Sequence, residues 1–435
     1  VNAGSPPAFE SRRADWLGVA EAERRIVAAA TPLDEERVPL LDSMGCALAE
    51  DAVATATLPP WDNSAMDGYA ARSEDVRGAS RDAPRTLRVI GLVRAGEPRA
   101  GSVGEGEAIR IMTGAPLPAG CDSVVRVEDT DGEAEAGTVQ VYSDRDAGRN
   151  VRPGGEDMKA GDRVLQRGAT VHVGAVAVLA ALGRTHVLVH RRPRVAILTT
   201  GDELRTPDRY EDVVAGAGVP ESNGPMLAAA VLAAGGDPVP LGVAPDDADA
   251  VRGALRRGRG ADVLVTVGGA SMGEADLVKR VLDGEGFEQE FWRVRMRPGS
   301  PFGFGWLPAA RPQPVFSLPG NPSSAFVTFE LFVRPFLLRL AGHRHVHRPR
   351  LRCTAGEPLT GAADLEVYLR VTIDQDRTPP TVRTTGPQGS GLVRGLASAG
   401  GLAILPLGVA AIEPGGAVDV ILVDGQRAAV SEAAS

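Results

Sequence analysis

The spacing of apolar positions changes along the chain, and each change predicts a different kind of element. Trp16–Ala30 (WLGVAEAERRIVAAA) has helical spacing, with Leu17, Ala20, Ile26 and Val27 as the buried face, and Pro32 ends it. Leu40–Ala54 reads as a turn followed by a helical or mixed segment. Between residues 86 and 145 the runs shorten to strand length (TLRVIGLV, GEAIRIMTGAPLP, SVVRVEDT, TVQVYS). Gly and Pro punctuate them, which predicts a small inserted β-domain. Val171–Leu182 is a short apolar helix of ordinary core packing.

From Pro193 strands and helices alternate. Strands are expected at Val195–Thr199, Pro238–Val243, Val263–Val267, Phe291–Met296 and Val315–Ser317. Helices are expected at Asn223–Ala234, Ala248–Arg256, Leu277–Leu282 and Ser323–Leu340. Such alternation predicts a mainly parallel sheet covered by helices on both faces. Ligands of such sheets lie outside the carboxyl ends of the strands. The loops expected there are TTGDEL, PDD, GGASMGEAD, RPGSP and LPGNPSS, each following a strand. Residues 350–425 return to short strands with Gly/Pro turns, a compact barrel or sandwich. The fold class is therefore α/β plus β, in several domains.

Composition narrows the function. A formal charge of −9 disfavours a nucleic-acid coat. Cys46, Cys121 and Cys353 lie far apart with no C-x-x-C, which removes zinc-knuckle, iron–sulfur and disulfide-scaffold readings and fits a reducing compartment. No apolar run approaches the roughly 20 residues of a membrane span, and the first residues read as a tail without a signal-like core. A cytoplasmic protein is expected.

Candidate chemistry concentrates in the polar turns. At Ala261–Asp276 a strand empties into Gly268-Gly269-Ala270-Ser271-Met272-Gly273 and a helix start, with Glu274 and Asp276 adjacent. Small residues let backbone N–H groups approach a phosphate, and an acid beside them can hold a divalent cation or a ligand hydroxyl. The same turn can simply close a βα unit. Leu58–Ala70, with Asp62, Asn63, Ser64 and Asp67 beside Trp61, Met66 and Tyr69, reads as a connector or a ligand-facing loop. Asn150–Thr170 places Glu156 and Asp157 next to Gly154-Gly155. His343, His345 and His347 fit a solvated helix end better than a metal site, having no carboxylate nearby in sequence. Asp202 reads as a loop brace and Asp247 as a first-turn acid.

Together the segments PPWDNSAMDGYA (59–70), RIMTGAPLP (110–118), NVRPGGED (150–157), TTGDEL (199–204), GGASMGEAD (268–276), RPGSPFGFG (297–305), LPGNPSSA (318–325) and GSGLVRGLASAGGLAILP (389–406) resemble the MoeA family of molybdopterin molybdenumtransferases, whose relatives include the E domain of gephyrin. The resemblance implies a split helical domain (12–57 and 147–190), an inserted β-domain (58–146), an α/β molybdopterin-binding domain (191–345) and a C-terminal β-domain (346–426). It also implies a homodimer with the active site at the subunit interface. The implied reaction inserts molybdate-derived molybdenum into the dithiolene of adenylylated molybdopterin and releases AMP, assisted by Mg²⁺ or another divalent cation.

By the same resemblance Asp67, Thr113, Asp157, Glu203, Asp246 and Asp276 occupy catalytic positions, the first three reaching the cleft from the partner chain. Glu203, Asp246 and Asp276 are the implied metal ligands. Gly268, Gly269, Ser271, Arg293, Arg297, Ser300, Pro301, Ser324 and Arg370 are the implied pterin, phosphate and oxyanion contacts. Where the family carries a K-P-G-K-P loop this chain has Arg297-Pro298-Gly299-Ser300-Pro301, and Arg293 also replaces a usual lysine. Weaker molybdate binding than in lysine-bearing relatives is expected. A molybdopterin adenylyltransferase, a scaffold, or a diverged paralogue that binds molybdopterin without turnover or handles tungstate are the competing expectations.

Overall fold

The computed structural model describes residues 16–98, 101–268 and 275–423, and of Ala275 and Asp276 only the backbone. The chain forms two compact units. One holds the residues up to Glu50, Gly168–Val173 and those from His186 on; the other holds Asp51–Arg167 and Gly174–Thr185.

In the first unit strands Asp237–Ala244, Arg194–Thr200, Val263–Val267 and Gln313–Leu318 lie side by side in parallel. Gly303–Leu307 and then Glu288–Phe291 extend this sheet, each antiparallel to its neighbour. Alternation decides what each face meets. Val195 and Ile197 face a cluster containing Leu227, Val231, Phe332 and Phe336, whereas Ala196 and Leu198 face Val251, Leu255, Val278 and Leu282. Every residue of Val263–Val267 is buried, as a central parallel strand covered on both faces requires.

Helix Ala248–Arg257 shows how the local sequence builds one of these covers. Asp247 caps it by accepting from the Ala250 N–H at 2.8 Å, its apolar side is Val251, Ala254 and Leu255, and Arg256 and Arg257 end it. The N-terminal helix spans Val19–Ala29 and buries Val19, Ala22 and Ile26 in the α/β core; Ala20 is exposed and Val27 half-buried, so the expected face is rotated. Residues 40–54 hold no helix beyond the short 3-10 turn Leu41–Ser43, and Ala52–Val53 is a strand.

The helical run from Pro322 to Leu340 is interrupted. Phe329–Val333 is a π segment between α-helices Pro322–Thr328 and Arg334–Leu340. Pro335 has no N–H to give and its ring would crowd a regular α turn, so a wider turn before it relieves the clash. Phe302 stacks on Phe332 with centroids 4.6 Å apart beneath this run.

Strands Arg350–Ala355, Glu366–Asp374, Thr381–Thr384, Gly401–Leu405 and Ala417–Leu422 close into a barrel, because Glu366–Asp374 pairs with both Thr381–Thr384 and Gly401–Leu405. Cys353, Leu369, Val371, Leu405 and Val420 are among the residues filling it.

The segment expected as one strand, Phe291–Met296, is divided. The sheet strand ends at Phe291, and Met296–Arg297 pairs in parallel with Glu366 and Val367 of the barrel. The RPGSP loop therefore does not leave a strand of the α/β sheet. Backbone pairing with a distant segment, invisible to local periodicity, sets its path.

The second unit contains a five-stranded sheet ordered Ser123–Arg126, Gly68–Ala71, Glu107–Ile111, Arg85–Val93 and Thr138–Val141. Short pairs Asn63–Ser64 with Val151–Arg152 and Ala52–Val53 with Arg163–Leu165 complete it. Among the described residues no helix is long and apolar enough to cross a membrane.

Candidate functional site

A cavity of about 1500 Å³ opens in the first unit, between the carboxyl ends of the parallel strands and the C-terminal barrel. Thr199, Thr200 and Glu203 line it from the end of Arg194–Thr200, Gly268 from the end of Val263–Val267, Gly320 from the turn after Gln313–Leu318, and Ser324 from the first turn of helix Pro322–Thr328. Arg297–Pro301 enter along the barrel, and the 388–391 turn forms another wall.

Among the described lining residues Arg297 is the one cation and Glu203 the one carboxylate. Arg297 is exposed and no described group pairs with it. The Glu203 carboxylate lies close over Gly201, where a Cβ would come within 2.6 Å of Oε2. Gly201 thus leaves room for the acid.

The structure brings Glu203, Gly268, Arg297, Ser300, Pro301 and Ser324 to this one cavity. Asp246 does not line it. It stands on the next loop, where the Asp246 N–H donates to Asp202 Oδ1 (3.1 Å) and the Asp202 N–H donates to Asp246 Oδ2 (3.3 Å). Asp202 is thereby the expected brace, and it holds Asp246 one residue away from Glu203. Gly269, Ser271 and the Asp276 side chain lie outside the described residues.

Three expected contacts are placed differently. Ser300 lines the cavity, but its hydroxyl donates to the Met296 carbonyl and is not free to donate to an anion. Arg293 is absent from the wall; its guanidinium lies over the Trp16 ring, 5.1 Å from the centroid. Arg370, 1% exposed, is also behind the wall: Nη2 donates to the carbonyls of Pro387 (3.1 Å) and Gly389 (3.3 Å). Gln388 binds the Arg370 backbone in return. Burial lowers the Arg370 pKa from its ordinary value. Arg370 shapes the 387–389 turn.

Helix Pro322–Thr328 is tied to the same turn, since the Ser323 N–H donates to the Ser390 carbonyl (3.0 Å) and its hydroxyl to that of Leu392 (2.8 Å). Sequence reasoning missed Thr200 and Asn223. Both are buried, both line the cavity, and Thr200 Oγ1 and Asn223 Oδ1 have no hydrogen-bond partner among the described residues. The signal was present: VPESNGP is another strand, polar turn and helix start.

In the second unit Asp67 Oδ1 accepts from the Thr113 N–H (2.7 Å) and hydroxyl (2.8 Å), which together hold the carboxyl below its usual range, the backbone bond contributing most. Asp157 is exposed on a turn whose N–H groups bond Leu58, Pro59 and Asp62. These bonds knit the 58–62 and 154–158 segments together within that unit.

His345 and His347 are exposed, as a solvated helix end requires, but His343 departs from that expectation because it packs inward. His343 is buried, with Nδ1 2.8 Å from Thr170 Oγ1, and burial pushes its pKa down to about 4. His347 pairs with Glu23 at 3.0 Å. Among the described residues no three His, Cys, Asp or Glu side chains form a metal-holding group.

Known proteins share this arrangement along nearly the whole chain. The MoeA N-terminal region (domains I and II) matches residues 17–183, the probable molybdopterin binding domain residues 196–339, and the MoeA C-terminal region (domain IV) residues 352–423. Molybdopterin molybdenumtransferase 2 of Mycobacterium tuberculosis is 37% identical over 385 residues, covering 87% of this chain and 92% of its own. The molybdopterin molybdenumtransferase of Staphylococcus aureus is 34% identical over 416 residues, covering 95% and 97%. The crystal structure of the molybdopterin biosynthesis protein MoeA from Pyrococcus horikoshii OT3 superposes with a TM-score of 0.80 at 28% identity, over 94% of this chain and 100% of that one. With the α/β sheet, the closed barrel and the cavity between them, these matches show that the chain belongs to the MoeA family.

Proposed function

We propose that the protein is a molybdopterin molybdenumtransferase, acting on adenylylated molybdopterin and molybdate and releasing AMP. The observation that carries this reading is the cavity itself. It is large enough for a nucleotide-tailed pterin and sits where the strand ends of an open α/β sheet place ligands. Arg297 supplies the charge to hold an oxyanion or phosphate there. Asp67, Thr113 and Asp157 would complete the site from the second copy of a homodimer.

A divalent cation fits the type of donor present, carboxylate oxygen, with Glu203 the one such residue described on the cavity wall. Mg²⁺ keeps several waters and takes one or two carboxylates plus substrate oxygens. Glu203 and Asp246 stand on adjoining loops joined through Asp202, and Asp276 is the third candidate. The ion would neutralise charge on the phosphoanhydride. Glu203 and Asp246 would bind and orient it through water, and Arg297 would hold the oxyanion.

Mass spectrometry of small molecules that co-purify with the full chain tests the reading. Bound adenylylated molybdopterin is expected. A nucleotide-free pterin, or none, in preparations from cells able to make the substrate would count against it and favour a binding protein without turnover.

A further inference from the structure

The basic run at 344–347 and one side of the first helix meet at a second cavity in the first unit, of about 580 Å³, which shares no lining residue with the larger one. Its floor accounts for the rotated face of that helix. Ala20 and Val27 have the spacing of a buried face, yet the core takes Val19, Ala22 and Ile26. Ala20, Arg24, Val27 and Ala28 instead fall on one side of Val19–Ala29, and that side lines the cavity.

The rest of the wall carries charge. Arg339, Arg344, His345 and His347 line it, with Val346 turned inward among them and 5% exposed. Glu23 is the one carboxylate among the described lining residues, and its Oε1 lies 3.0 Å from His347 Nδ1. Arg24 is bonded to Glu21 at 2.8 and 2.7 Å. The Arg339 guanidinium and the His345 ring have no partner among the described residues.

The preceding helix, Arg334–Leu340, does not need these cations. Its last carbonyls, on Leu337, Leu338 and Arg339, accept from the backbone N–H groups of Ala341, His343 and Gly342. The run is also held in place. Gly168 has φ +79°, and a Cβ there would come within 2.4 Å of Arg344 Cγ, so its bare backbone seats the Arg344 stem. The Arg344 N–H donates to the Gly168 carbonyl at 2.9 Å, and the Val346 carbonyl accepts from Arg334 Nη1 at 3.3 Å. Cations presented on an anchored segment lose little freedom when a ligand arrives.

We propose that this cavity binds a small organic phosphate, its apolar body on Ala20, Val27 and Ala28 and its dianion between Arg339 and Arg344. Three arginines against one carboxylate leave two positive charges before either histidine is counted, which matches a phosphate monoester better than a monocarboxylate. The volume lies in the range of small-molecule pockets. Elsewhere a chain of net charge −9 would repel such a ligand. The site stands independently of the transferase reading.

The test is calorimetric titration of the full chain with AMP, adenosine and inorganic phosphate as separate probes, at low and high salt. AMP should bind more tightly than adenosine or inorganic phosphate, each of which supplies half of the contacts. Arg339→Ala should weaken AMP binding about tenfold at low salt and less at high salt. Val27→Glu, which puts a carboxylate on the floor, should act in the same direction. Both positions lie outside the core, so the melting temperature should hold. The larger cavity can also take AMP, so the titrations are repeated with Arg297→Ala, in which the Arg339-dependent binding should persist. Binding indifferent to both Arg339→Ala and Val27→Glu would overturn the proposal, as would AMP binding lost entirely in Arg297→Ala, or no binding of either phosphate up to millimolar concentration. Binding of a glutamate-rich peptide that Arg339→Ala abolishes, with no phosphate bound, would overturn it in favour of a protein partner.

Discussion

Replacing Arg297 with alanine removes the single cation among the described residues of the cavity wall, and the size of the effect can be worked out. Two unit charges at a contact distance of about 4 Å interact by about 1 kcal/mol in water and about 4 kcal/mol at the dielectric typical of a protein surface. Molybdate is a dianion, which doubles both figures, and Arg297 is exposed, which selects the lower one. About 2 kcal/mol at low ionic strength corresponds to a rise of about thirtyfold in the KM for molybdate. Screening over a Debye length of about 8 Å at 0.15 M salt reduces this to about eightfold, and at 1 M to about twofold. Ser300→Lys should act in the opposite direction, since it adds a charge where the present hydroxyl is turned to the Met296 carbonyl. The assay is AMP release as a function of molybdate at several salt concentrations. A KM ratio below about twofold at low salt, or one indifferent to salt, would refute a cavity in which Arg297 holds the oxyanion.

Other outcomes follow from buried charge. His343 titrates near 4 when folded against an ordinary 6.5, so its neutral form is required: stability is full above 6.5 and falls by about 3 kcal/mol as pH drops to 4. His343→Gln should flatten that part of a denaturant-midpoint profile. Burial would raise the Asp146 pKa, but Arg126, donating from Nε and Nη2 at 2.9 Å, brings it down to about 2 from an ordinary 3.8. Its contribution of about 2 kcal/mol is present above 3.8 and is lost as pH falls to 2, a loss that Asp146→Asn should abolish in acid titrations followed by circular dichroism. Glu330 accepts from Arg348 at 2.9 and 3.1 Å and lies 4.0 Å from Arg334. Glu330→Ala strands both cations and should cost about 3–5 kcal/mol in chemical denaturation, against near neutrality for a surface pair such as Arg352–Asp419.

Much of the α/β domain was legible because its signals are local. Val263–Val267 is a buried strand with the bounds its apolar run predicts, and Asp247, expected as a first-turn acid, stands one position earlier as the cap of that helix. What escaped depends on distant parts of the chain. Met296–Arg297 looks like the end of a sheet strand until Glu366 and Val367 are known to pair with it. Arg370 and Arg293 carry charges that sequence alone sends to an oxyanion, whereas the fold commits one to the carbonyls of the 387–389 turn and the other to Trp16. Ser300 illustrates the same limit on a smaller scale, since a hydroxyl's partner four residues back depends on how the loop folds. Thr200 and Asn223 gave no charge signal at all, and only their unsatisfied oxygens reveal them.

Release of AMP from adenylylated molybdopterin, followed by chromatography with molybdate present and absent, tests the account most directly. The wild-type chain with Mg²⁺ should release AMP only when molybdate is supplied, with molybdenum appearing on the pterin in equal amount. AMP released at the same rate without molybdate, or no release with all components present, would contradict it.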